Sequence, residues 1–165
     1  MASQQIRSQR EDAQVFTGED LCKEKAQEVL ARFSLPKGLI PMTDVTEIGH
    51  NESTGFVWVC RKKKTNHLFR AIGRNVSYDS EVTALIENRR MRNLTGVKSK
   101  ELLIWVTISD ISADESGKIT FGTPAGLSHI LSIVFIFSLT ATQSGHYVSP
   151  ISCNTETMEF VGMYR

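Results

Sequence analysis

Early in the chain, apolar residues recur every three or four positions. Cys22, Ala26, Val29, Leu30 and Phe33 fall on one face, and Lys23, Glu24, Gln27 and Glu28 on the other. That period belongs to an α-helix with one buried stripe, and it predicts a helix over residues 19–33. Thr17 is placed to cap it, and Glu19 and Asp20 put negative charge in the first turn, where the helix dipole favours it. Pro36 and Gly38 end it. Residues 1–16 are polar and read as a flexible start.

After "LPKGLIP" the period shortens to two. "ESTG" (52–55) is a turn signal before "FVWVC", which is apolar on both faces and suits a central strand. "RKKKTN" leads into "HLFRAIG". Val82, Ala84 and Ile86 alternate with Glu81, Thr83 and Glu87, a half-buried strand. "NRRMRN" interrupts the pattern. "ELLIWVTISDI" then reads as one strand, with Leu102, Ile104, Val106 and Ile108 on one face and Leu103, Trp105, Thr107 and Ser109 on the other. "DESG" (114–117) reads as a hairpin turn into "KITF". Short strands behind one leading helix predict a mainly β domain. We expect an antiparallel β-barrel or roll with one N-terminal amphipathic helix.

The most apolar stretch is "ILSIVFIFSL" (130–139). A bilayer-spanning helix needs about 20 apolar residues, roughly twice this run. Its β-branched and aromatic residues suit a strand, and no Lys or Arg flanks it to set an orientation. We therefore expect no transmembrane segment, with peripheral membrane contact left open.

Composition narrows the function classes. The chain has 165 residues, 41% of them hydrophobic and 22% charged, which suits one globular domain with a real core. A net charge of +1 gives no global attraction to nucleic acid, and no nucleic-acid partner is expected. The start "MASQQIRSQREDAQVF" lacks the apolar region of a secretory signal, so the expected location is cytoplasmic. Three distant cysteines, Cys22, Cys60 and Cys153, fit reduced thiols better than a disulfide frame.

Candidate chemistry is sparse. His50, His67, His129 and His146 are isolated, so neither a metal nor any other cofactor is expected. "GLSHI" (126–130) begins like a Gly-x-Ser-x-Gly elbow but ends in Ile130, so Ser128 is a weak esterase nucleophile and no catalytic residue is assigned. Arg61, Lys62, Lys63 and Lys64 form a basic run, joined by Arg89, Arg90 and Arg92. It suits an anion, nuclear-import or lipid-headgroup patch, or simply solvated hairpin ends. Phe56, Trp58, Phe69, Trp105 and Phe121 all fall on expected strands. They read as core residues that could open into a pocket for a hydrophobic ligand.

Four segments carry a family resemblance: "AQEVLARFSLPKGLIP" (26–41), "VSYDSEVTALIE" (76–87), "LTGVKSKELLIWVTISDI" (94–111) and "KITFGTPAGLS" (118–128). They resemble the plant family catalogued as domain of unknown function five-three-eight, in its intracellular branch, which includes a regulator of trichome size. The resemblance runs over about residues 15–129. It implies a mainly β, barrel- or roll-like fold and roles in development and stress responses. It also implies binding of a lipid, a pigment or a protein partner, with ester hydrolysis or a purely regulatory interaction as alternatives. The expected organisation is a family domain over 17–129 and an atypical C-terminal tail over 130–165. In that tail the family's usual last strand is replaced, as a retained intron or shifted frame would do.

Overall fold

The computed structural model describes residues 2–70, 73–116 and 118–125, together with the backbone of 128–132. In chain order these form α1 (Ala2–Gln9), β1 (Gln14–Thr17), α2 (Glu19–Arg32), β2 (Val45–Asn51), β3 (Phe56–Arg61) and β4 (Thr65–Phe69). They continue with β5 (Arg74–Glu87), β6 (Arg90–Glu101), β7 (Ile104–Thr107), β8 (Asp110–Ala113), β9 (Lys118–Gly122) and β10 (Ser128–Ser132). The strands make one antiparallel sheet in the order β1-β2-β3-β5-β6-β8-β9-β10, with β4 added to β5 and β7 added to β6. Among the described residues β1 and β10 end the path and do not pair with each other, so the sheet is an open roll and not a closed barrel.

α2 is the helix that the apolar spacing predicts, with Cys22, Ala26 and Leu30 buried. Thr17 does not cap it. Thr17 ends β1, paired with Glu47, and Gly18 holds the cap position at φ 94°. Residues 1–16 are also more ordered than their polarity suggests, because they carry α1 and β1. α1, "ASQQIRSQ", contains neither Gly nor Pro and is rich in good helix formers. Its one large apolar residue, Ile6, is buried against Phe56 and Trp58.

The two helices cover opposite faces of the sheet. Along β3, Val57 and Val59 pack on the α2 side with Ala26 and Leu30, while Phe56 and Trp58 pack on the α1 side with Ile6. Gly49 faces Trp58 across the ladder, and a Cβ there would lie 2.0 Å from the indole. Only glycine admits that ring. The indole Nε1 donates to Glu47 Oε1 at 2.8 Å, and Arg10 forks onto the same carboxylate, with its closest contact at 2.6 Å. Burial alone would raise the Glu47 carboxyl, but the hydrogen bonds from Arg10 and Trp58 outweigh it and hold it below the usual carboxylate range.

The long β5–β6 hairpin is bent. Its register shifts between Tyr78 and Thr83, opposite Gly96, which sits at φ 76°. A Cβ on Gly96 would come within 2.4 Å of the Glu81 carbonyl oxygen. Below the bend the hairpin lies between β3 and β8; above it, between β4 and β7. Two differences from the pattern read in the sequence follow. "NRRMRN" does not interrupt the sheet, because Arg90–Glu101 is a strand whose irregularities bury Met91, Leu94 and Val97 three residues apart, not two. Nor is "ELLIWVTISDI" one strand. β6 pairs with both β7 and β8, so the chain must reverse at Leu102 and Leu103. "DESG" does close the β8–β9 hairpin, through Asp114.

Candidate functional site

The five aromatic residues proposed for a pocket go to three places. Phe56 and Trp58 share the α1-side cluster, with ring centroids 6.1 Å apart. Phe69 and Phe121 belong to the main core on the other face. Trp105 lies on β7 and is 44% exposed. Trp58 also helps line a cavity of about 40 Å³ beneath α2, with Ala26, Leu30, Ile48, His50 and Met91. Sites for drug-sized ligands run to about 300–1,000 Å³, so this space is a packing gap. His50 is buried there with no partner for Nε2 among the described residues, and burial lowers its pKa and favours the neutral ring.

The basic run is divided as well. Arg61 turns into the core, 5.3 Å from the Tyr78 ring centroid, and among the described residues none of its guanidinium nitrogens has a hydrogen-bond partner. Burial pulls its pKa down and pushes the Tyr78 phenol up. Lys62, Lys63 and Lys64 remain exposed, with Lys64 held 3.1 Å from Asp79. Arg89, Arg90 and Arg92 pair with Glu115, Asp110 and Glu87.

Other candidates separate similarly. Ser128 begins β10 opposite Gly122, in a hairpin and not at a strand-to-helix elbow. The apolar run 130–139 enters β10 as a strand through Ser132, and its remainder lies outside the described residues, as do Cys153 and His146. Cys22 and Cys60 are free thiols, and burial pushes Cys60 up to about 11, which keeps it protonated and unreactive. Among the described residues no group of acidic, His or Cys side chains could hold a metal, and no helix is long and apolar enough to cross a membrane.

One feature is unlike the rest of the surface. At the β6–β7 turn four consecutive apolar residues face solvent: Leu102 is 95% exposed, Leu103 92%, Ile104 65% and Trp105 44%. The turn has two residues between the paired Glu101 and Ile104. Leu102 adopts φ 54°, a left-handed conformation that costs a non-glycine residue about 1–2 kcal/mol. Beneath the turn, Glu101 accepts from Ser99 Oγ at 3.0 Å and forms an ion pair with Arg74. On the opposite face Trp105 stands beside Lys100, and Thr107 beside Lys98. The pairing of Ser77 with Lys98 puts Asn75, and with it half-exposed Leu68, on this same face. Exposed Arg70 follows β4 at the same end. Arg70, Lys98 and Lys100 form no ion pair among the described residues. The signal in the sequence was the unbroken "LLIW", which a single-strand reading splits between two faces.

No curated protein and no solved structure is significantly similar to the chain. A family model does match, over residues 26–134, and so extends past Ser128 into the apolar run. The chain therefore belongs to the family described as protein of unknown function, DUF538.

Proposed function

We propose that this domain is a non-enzymatic binding module that engages a hydrophobic partner through its surface. The observation that carries this reading is the β6–β7 hairpin, with four consecutive apolar side chains in solvent. Burying such residues is worth about 1.5–3 kcal/mol each, a gain that folding leaves unused and a partner can supply. The space beneath α2 is too small for a ligand, and the larger cleft of about 530 Å³ beside α1 is lined by Lys64, Asp79 and Glu81, so neither offers an apolar interior pocket. Development and stress in a plant cytoplasm is the setting we propose, on the sequence resemblance alone.

The test uses the full chain and zwitterionic detergent micelles. Trp58 is already buried, so a blue shift of tryptophan emission on adding micelles reports Trp105. Leu102→Gly with Leu103→Ser should abolish that shift while the protein stays folded. A shift of equal size in the variant would overturn the reading.

A further inference from the structure

We infer that the partner of the β6–β7 hairpin is an anionic lipid bilayer, into which the turn inserts. This rests on the surface-binding reading above and names its occupant. The shape is the first support. The apolar residues sit on a protruding two-residue turn, which suits insertion into a fluid layer. The second support is the vertical order of chemistry. Lys100 lies two residues behind Leu102 and Lys98 two further back. At about 3.4 Å per residue they stand roughly 7 and 14 Å behind the tip. Peripheral elements bury their apolar parts about 5–10 Å deep. Leu102, Leu103 and Ile104 then reach the acyl chains while Lys100 meets the headgroups. Trp105 is paired with Lys100 and falls at the boundary, where indole rings partition.

The third support is charge. Arg70, Lys98 and Lys100 lie at this end of the sheet without ion-pair partners among the described residues, and the acid at the turn, Glu101, is taken by Arg74. A net charge of +1 for the whole chain makes this local excess the relevant field. Each cation near an anionic surface adds about 1 kcal/mol, or roughly fivefold in affinity. The backbone strain at Leu102 supports the same reading. Gly would relieve it, yet an apolar side chain occupies the position.

The experiment is flotation of the full chain with phosphatidylcholine vesicles, with and without about one third phosphatidylserine, read also by quenching of tryptophan emission by brominated lipid. We expect binding to the anionic vesicles, weakening with salt, with quenching confined to Trp105. Lys98→Gln with Lys100→Gln should lower affinity about 25-fold. Leu102→Gly with Leu103→Ser should lower it at least about tenfold and remove the quenching. Equal binding to neutral vesicles would overturn the anionic requirement. Undiminished binding by the leucine variant would assign the contact to another segment and overturn the insertion. Absence of vesicle binding with the micelle response intact would overturn this inference but leave the surface-binding reading standing. Loss of both responses would overturn both.

Discussion

The β5–β6 hairpin belongs to two differently built regions. Below the bend at Gly96, helices cover the sheet on both faces, and the Trp58 indole is both buried and hydrogen-bonded through Nε1. Above it, β4 and β7 flank the hairpin, one face carries Lys100 and Trp105 into solvent beside half-buried Lys98, and the end exposes Leu102 and Leu103. The same two strands therefore satisfy packing at one end and leave it unsatisfied at the other. The lower region specifies the fold. The upper region is free to carry contacts that the fold does not need.

The largest expected effect tests the lower region. Gly49→Ala places a methyl group against the Trp58 ring and should cost about 3 kcal/mol, measured by urea unfolding. A loss under about 0.5 kcal/mol would show that the Trp58 packing is looser than described. Next comes a change of opposite sign. Arg61 is a buried cation without a hydrogen-bond partner among the described residues, and replacing such an ion with a similarly sized apolar group often stabilises. Arg61→Met should gain about 2 kcal/mol in the same assay. A loss of stability would mean that the contact with Tyr78 outweighs the cost of burial.

The sequence reads well where periodicity is regular. α2 was legible because Cys22, Ala26 and Leu30 keep helical spacing, and β3 because "FVWVC" sits between turn signals. β6 was not, because its bulges displace Met91, Leu94 and Val97 from a two-residue period and a local window cannot see the strand that compensates. α1 was hidden for a different reason: a single Ile6 anchors it, and the surface that accepts Ile6 is assembled from residues 50 positions away. The candidate site was half legible. "LLIW" was visible as an apolar run, but its exposure depends on a chain reversal that tertiary pairing imposes at Leu102.

Glu47 ties Arg10, just after α1, to the Trp58 indole and gives a pH test. Its carboxyl is held below the usual range by Arg10 and Trp58 against an opposing burial effect. A group with a depressed folded pKa contributes stability that is complete above its unfolded pKa, about 4.3, and is lost as pH falls through the folded value. Melting temperatures of the native chain and Glu47→Gln should differ at pH 6, and the gap should close as pH falls below about 4.3. A gap that stays constant to pH 3 would show that Glu47 contributes shape and not charge.

The smallest expected effect is the one that separates the two regions. Leu102 holds a left-handed conformation in an exposed turn, with no core contact to offset its strain. Leu102→Gly should therefore stabilise the protein by about 1 kcal/mol, a rise of a few degrees in Tm. The same change removes a side chain from the inserted tip, so vesicle binding should weaken while stability improves. That opposition is what a strained functional element produces, since a structural residue would lose both together. If Leu102→Gly lowered Tm, the leucine would be packing against something in the fold, and the upper region would be a second core and not a contact surface.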